Sequence, residues 1–318
     1  MGCGTGEPIG PGDLSITRPS RPSRRARATN ARADARAGMR AALAVACSCA
    51  VVVEAAAAPW SASTRARPYG ERRGAILSRA ASGLGSTLGD GTTMSDRPSA
   101  IVVEPRDGAA NGAFIMLHGL GDTGRGWASA AQQIRTPRGT RMRWIFPTAR
   151  TVPVTLNGGM RMTAWFDLNA LDEASITDDR GMIEESAAYV DALIREQMAK
   201  GIPSEKIIVG GFSQGGVIAL TSALRSEVKL GGCVALSTYL ALRGDYPAKF
   251  GPHAKELKIF QAHGTHDFVL QYAYGKKSAE YLQSLNVSVD FKTYAGMQHS
   301  ACAEEFDDLA DFLDLALA

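Results

Sequence analysis

The sequence predicts an α/β fold: a mostly parallel central sheet with helices on both faces. Three observations carry this. From about residue 100 onward, apolar runs of strand length alternate with segments of helical periodicity. Several runs, at 113–118 and 142–146, are near-continuously apolar rather than alternating, as strands covered on both faces must be. Finally, Ile207-Ile208-Val209 leads into Gly211-Phe212-Ser213-Gln214-Gly215-Gly216, which reads as a strand, a sharp turn and a helix start. Such alternation argues for parallel strands joined by helical crossovers.

Taken in order, Ile101-Val102-Val103 is short and suits an edge strand. Residues 113–118 and 142–146 then read as buried parallel strands. Across 181–200, Ile183, Ala187, Val190 and Ile194 recur at helical spacing, and Asp178 and Asp179 stand near the helix start, where negative charge is favoured. A strand over 206–211 delivers the glycine-rich turn, and a helix over 217–225 follows it. Strands are expected at 232–237, 257–263 and 287–294 with helices between them, and 303–317 closes the chain as an amphipathic helix. The segment 96–318 leaves no room for a large cap domain.

The turn at Ser213 has the pattern G-x-S-x-G, in which glycines permit a strained turn that holds a serine hydroxyl above the sheet. A serine hydroxyl is a poor nucleophile without a base and a group to orient that base. Two candidates follow at expected strand ends: Asp267 in Ala262-His263-Gly264-Thr265-His266-Asp267, and His299 in Gly296-Met297-Gln298-His299-Ser300. The order Ser, Asp, His is that of an α/β-hydrolase. Each residue alone has a blander reading, as a turn glycine pair, a capping aspartate or a surface histidine. The three together, in order and each after a strand, point to nucleophilic acyl transfer. Negative charge then builds on a carbonyl oxygen and calls for fixed N–H donors. The amide after the nucleophile, Gln214, is one, and the loop His118-Gly119-Leu120-Gly121-Asp122 supplies the other. His118 competes with His299 as base, although its place in a His-Gly turn suits a structural hydrogen bond.

Composition places the rest. Hydrophobic residues make up 45% and charged residues 21%, ordinary values for a globular chain. The net charge of +3 conceals an asymmetry: residues 1–95 hold 13 Arg, no Lys and 6 acids, and the remainder holds 22 basic residues against 26 acids. The basic excess therefore belongs to a leader, and no basic patch interleaved with aromatics suggests nucleic-acid binding. The leader, 1–95, is Arg/Ala-rich and reads as a targeting or disordered segment. Read from Met1 it resembles an organelle-targeting peptide, and read from Met39 a secretory signal. With translation starting near Met94 the protein is expected in the cytoplasm. A myristoylation reading of Met1-Gly2-Cys3 is disfavoured by Gly6. Of five cysteines, Cys3, Cys47 and Cys49 are in the leader; Cys233, in an apolar run, is expected to be a buried free thiol, and Cys302 is the other in the domain.

Five stretches carry a resemblance: Leu117-His118-Gly119-Leu120-Gly121-Asp122-Thr123-Gly124, Pro153-Val154-Thr155-Leu156-Asn157, Trp165-Phe166-Asp167, Gly210-Gly211-Phe212-Ser213-Gln214-Gly215-Gly216 and Gly296-Met297-Gln298-His299-Ser300. In order and content they resemble the acyl-protein thioesterase family, the phospholipase/carboxylesterase group of α/β-hydrolases, over 98–317. The resemblance implies hydrolysis of S-palmitoyl cysteine on proteins, with carboxylesterase or lysophospholipase action on small amphiphilic esters as the alternative. It implies Ser213 as nucleophile, Asp267 as orienting acid, His299 as base, and Leu120 and Gln214 as oxyanion donors. Leu156 and Trp165 would lie beside the acyl channel. Where members commonly carry an aspartate and a proline around the catalytic acid, this chain has Thr265 and Phe268. Ser237-Thr238-Tyr239-Leu240-Ala241-Leu242 replaces a Ser-x-Trp-Leu-Pro-Leu run, and Tyr239 and Phe268 are expected to face the channel. Neither a metal nor an organic cofactor is expected. The partners implied are an acylated protein or lysophospholipid, with peripheral membrane contact compatible with such substrates and a monomer or weak dimer as the assembly.

Overall fold

The computed structural model describes residues 97–318; the sequence-based leader, its alternative start sites and Cys3, Cys47 and Cys49 lie outside the described residues. Among the described residues, nine strands and six α-helices follow one another. They are β1 (Ile101–Val103), β2 (Gly112–Leu117), α1 (Gly124–Trp127), α2 (Ala130–Gln133), β3 (Met142–Phe146), β4 (Thr151–Val154), β5 (Met160–Thr163), α3 (Arg180–Ala199), β6 (Ile207–Phe212), α4 (Gln214–Arg225), β7 (Gly232–Leu236), β8 (Lys258–Gly264), α5 (Tyr272–Ser284), β9 (Ser288–Tyr294) and α6 (Ala303–Ala316). Seven strands form one sheet in the order β1-β3-β2-β6-β7-β8-β9. Every neighbouring pair is parallel except β1 with β3, so the short first strand is an antiparallel edge.

The unbroken apolar strands are explained by two cores, one on each face. Successive side chains of a strand point to opposite faces. Ala113, Ile115 and Leu117 of β2, Ile207 and Val209 of β6 and Cys233 and Ala235 of β7 join one core, with Ile183, Val190 and Ile194 of α3 and Val217, Leu220 and Leu224 of α4. Phe114 and Met116, Ile208 and Phe212, and Val234 and Leu236 face the other, against Trp127, Phe306, Leu309 and Leu313. Burying both faces of the strand set supplies the hydrophobic drive, at about 25 cal/mol per Å2 of apolar surface. Cys233 is buried and free, and Cys302 is also a free thiol.

Element starts follow local chemistry. Asp179 caps α3, its carboxylate accepting from the Met182 N–H at 3.0 Å. Asp178, one residue earlier, instead accepts from the Leu242 N–H at 2.7 Å and so ties the start of α3 to the loop after β7. The α4 helix begins at Gln214, directly after the serine, three residues earlier than the apolar pattern indicates. The hairpin β4–β5 is an addition to the sequence expectations. It pairs Thr151 with Thr163 and Val154 with Met160 and turns through Gly158 and Gly159, both with positive φ. Its sequence signal is Asn157-Gly158-Gly159 between two short β-prone runs.

Candidate active site

All the candidate catalytic groups stand at the carboxyl ends of parallel strands, where an open α/β sheet forms its crevice. Ser213 follows β6, Leu120 lies three residues after β2, Asp267 three after β8 and His299 five after β9. The strands β2 and β6 are neighbours, as are β8 and β9. The topology therefore puts the nucleophile beside the oxyanion loop, and the acid beside the base.

Ser213 has φ 53° and ψ −120°, a left-handed conformation uncommon for a residue with a side chain. Its strain is held on both sides: its N–H donates to the Leu236 carbonyl at 2.9 Å, and its carbonyl accepts from Thr238 Oγ1 at 2.7 Å. The flanking glycines are needed for space. A Cβ at 211 would collide with the Gly215 carbonyl, and one at 215 would stand 2.5 Å from the Leu117 oxygen and 2.6 Å from that of His118. The chain can thus pass its own oxyanion loop only if position 215 has no side chain.

His299 Nε2 lies 2.9 Å from Ser213 Oγ, and His299 Nδ1 lies 2.7 Å from Asp267 Oδ2. Asp267 is 5% exposed. Its Oδ1 accepts from the Val269 N–H at 2.9 Å and the Leu270 N–H at 2.8 Å. Burial pushes its carboxyl up, but hydrogen bonds from His263 and His299, the charge of His299 and the Leu270 amide outweigh that and hold it well below the usual carboxylate range. Asp267 therefore stays ionised, able to orient an imidazole and stabilise an imidazolium. The Phe212 ring packs against His299 with centroids 4.8 Å apart.

His118 is placed differently. It is fully buried, its Nδ1 is 2.6 Å from the Gly119 carbonyl, and its Nε2 accepts from the Ala149 N–H at 3.0 Å. Only the Nδ1–H tautomer satisfies both, and it leaves no lone pair for a proton from serine. Burial pushes its pKa down to about 4. The geometry makes His118 a brace of the oxyanion loop.

That loop is held directly by two bonds, and Gln214 in turn fixes the Trp165 segment that makes one of them. Trp165 Nε1 donates to the His118 carbonyl at 2.8 Å, and the Gly121 N–H donates to the Thr163 carbonyl of β5 at 2.8 Å. The Gln214 side chain accepts from the Trp165 N–H at 2.9 Å and donates to the Phe166 carbonyl at 2.7 Å. The Gln214 amide also begins α4, whose N-terminus directs partial positive charge toward the same place.

A small pocket opens beside Ser213, lined by apolar side chains that include Phe166, Leu168, Leu171, Ile176 and Leu270. Leu120, Gln214 and Tyr239 also line it. Three expected channel residues do not. Trp165 is 1% exposed and sits behind the oxyanion loop, because its indole N–H is spent on the His118 carbonyl. Leu156 packs its side chain against the core, while its N–H donates to the Leu168 carbonyl at 2.7 Å. Phe268 is 82% exposed. Asp267 turns inward to accept the Val269 and Leu270 amides, which throws the intervening Phe268 side chain outward. Their places are taken by Phe166, Leu168, Leu171 and Ile176, which are interspersed with Asp167, Asn169, Asp172, Glu173 and Ser175, a mixed stretch that gives no periodic sign of which members face a cavity.

A part-buried serine–histidine–aspartate line at the rim of a mostly parallel sheet defines a serine hydrolase of the α/β-hydrolase fold. The sequence profile of the phospholipase/carboxylesterase family matches residues 98–317, and the chain belongs to that family. Acyl-protein thioesterase 1 of Mycosarcoma maydis is 42% identical over 228 residues, covering 67% of this chain and 95% of that protein. The Neurospora crassa protein of the same name is 41% identical over 229 residues, covering 70% and 92%. Among solved structures, Zea mays acyl-protein thioesterase 2 matches with a TM-score of 0.62 at 32% identity, covering 69% of this chain and 99% of that one. Arabidopsis thaliana SOBER1 matches with a TM-score of 0.62 at 30% identity, covering 65% and 99%.

Proposed function

We propose that this protein hydrolyses thioester or ester bonds of long-chain acyl groups, with S-palmitoyl cysteine on proteins as its substrate. One observation carries the reading: the Ser213–His299–Asp267 hydrogen-bonded line ends at the mouth of an apolar pocket. The names of the relatives support the choice of thioester. In this reading the acyl tail enters the pocket and its carbonyl carbon stops at Ser213 Oγ. Neutral His299 removes the hydroxyl proton through Nε2 as Oγ attacks. The resulting oxyanion is held by the Leu120 and Gln214 amides. His299 then returns the proton to the leaving thiol or alcohol, and the acyl–serine ester forms. Water repeats the sequence and frees the fatty acid. Asp267 keeps the proton of the neutral imidazole on Nδ1 and offsets its charge when protonated.

Ser213→Ala removes the attacking atom and leaves the pocket intact. A fall in kcat of more than ~100-fold on a thioester or p-nitrophenyl ester is expected, together with loss of covalent labelling by a fluorophosphonate. Retained activity refutes the assignment. The pocket grips the acyl part and makes no distinction between leaving groups. Side-by-side kcat/KM on a palmitoylated peptide and on lysophosphatidylcholine separates the thioesterase reading from a lipid-esterase one, and preference for the lipid overturns the former.

A further inference from the structure

His263 lies in β8, four residues before Asp267, and is wholly buried. Its Nε2 stands 2.9 Å from the Leu270 carbonyl oxygen and 3.3 Å from Asp267 Oδ2. Both neighbours are acceptors, so the ring carries its proton on Nε2 and directs it between them. Its Nδ1 is buried with no hydrogen-bond partner. The packing explains that orphan nitrogen. The ring presses on α5 at Gly275, where a Cβ would collide with Nδ1, and meets the Tyr272 ring edge-on at 6.0 Å. One nitrogen is left unsatisfied while the other is held at the carboxylate.

We propose that His263 is a positioning residue for the reaction, its Nε2–H fixing the Asp267 carboxylate so that Oδ2 presents one lone pair to His299. The inference rests on the reading of Asp267 as the orienting acid. A carboxylate offers about four lone-pair directions. Here Oδ1 takes the Val269 and Leu270 amides, and Oδ2 takes His299 and His263. With all four engaged, the carboxylate cannot rotate away from His299. The titratable groups facing His263 are Asp267 on the following turn, His299 beyond it and Tyr272 from α5. Removing the His263 donor concentrates the carboxylate charge on His299. That favours the imidazolium and moves the acid limb of the pH–rate profile to higher pH, while the looser carboxylate lowers kcat.

Two substitutions separate this role from packing. His263→Gln can place an amide N–H near the Nε2 position, whereas His263→Asn is too short to reach Asp267. Activity on a p-nitrophenyl ester is measured from about pH 5 to 9, normalised to the fraction of enzyme labelled by a fluorophosphonate. The Gln variant is expected within about threefold of wild-type kcat with its acid limb unmoved. The Asn variant is expected to lose about 10- to 100-fold in kcat at unchanged KM, the worth of one hydrogen bond to a charged group, with the limb shifted upward. Equal kcat and coincident limbs in the two variants overturn the proposal, as does a loss confined to melting temperature. The unaltered protein supplies a test that does not depend on folding of a variant: 15N-histidine NMR should find His263 protonated on Nε2 and bare on Nδ1, and the opposite tautomer overturns the proposal. Failure of the wild type to label at Ser213 would sink the catalytic reading itself, a different result from labelled variants that turn over normally.

Discussion

Replacing Asp267 with Asn tests the orienting role with little change of shape. In the native site one carboxylate oxygen accepts two backbone amides, from Val269 and Leu270, and the other accepts His299 Nδ1 at 2.7 Å. An asparagine has one acceptor oxygen and one NH2. The two backbone donors demand the oxygen, so the NH2 must turn toward His299. Two donors then face each other unless His299 moves its proton from Nδ1 to Nε2, which is the nitrogen that must accept from Ser213 Oγ. The imidazole is locked in the tautomer that cannot act as base, and the charge that balanced its protonated form is gone. An equivalent change in a serine protease lowers kcat by about 10,000-fold, which corresponds to about 5.5 kcal/mol on the barrier. The Val269 and Leu270 bonds survive while the buried His263 Nε2–H loses its carboxylate acceptor, so the fold should lose about 1–3 kcal/mol. The assay is kcat on a p-nitrophenyl ester with active-site titration and a thermal melt in parallel. A folded Asn variant that loses less than about tenfold in kcat refutes the tautomer argument.

Three further outcomes are expected. Gly215→Ala puts a methyl 2.5 Å from the Leu117 oxygen; it should destabilise the fold by about 1–3 kcal/mol and abolish labelling at Ser213, and a normally labelled, equally stable variant would contradict the crowding argument. Glu305, in the first turn of α6, is fully buried, and burial pushes its pKa up to about 8 against the lowering effect of the Cys302 backbone amide. A raised folded pKa means stability present below the ordinary carboxyl range and lost as pH rises through about 8, on the order of a few kcal/mol. The melting-temperature advantage of Glu305→Gln over wild type should therefore grow between about pH 6 and 9, and a constant difference would disprove it. Phe268→Ala removes a side chain that is 82% exposed; kcat/KM on soluble esters and acyl-chain preference should stay within about twofold, surface changes being small, and an altered chain-length preference would put Phe268 back in the channel.

Much of the molecule was legible from its residues. All seven sheet strands lie within a residue of the bounds read from the sequence, as at 142–146, and the central ones declare themselves because a strand buried on both faces is apolar throughout. The G-x-S-x-G turn was legible for a similar reason: the crowding at positions 211 and 215 is a demand on those residues themselves. The hairpin β4–β5 was less legible, its strands being four residues each and half exposed.

The sequence by itself determined the strand–helix alternation, the strained serine and the chain order of its two candidate partners, since these are written in neighbouring residues and short periods. Only the tertiary structure decided which histidine could be the base, because a tautomer is set by partners brought from far along the chain: the Ala149 N–H, 31 positions on, donates to His118 Nε2, and His299 reaches Ser213 across 86 positions. It alone turned Trp165 and Leu156 inward, put Phe268 in solvent and set His263 against Asp267. Whether a side chain lines a pocket depends on which face of a folded element it occupies and on what competes for its polar atoms, and residue type does not encode either.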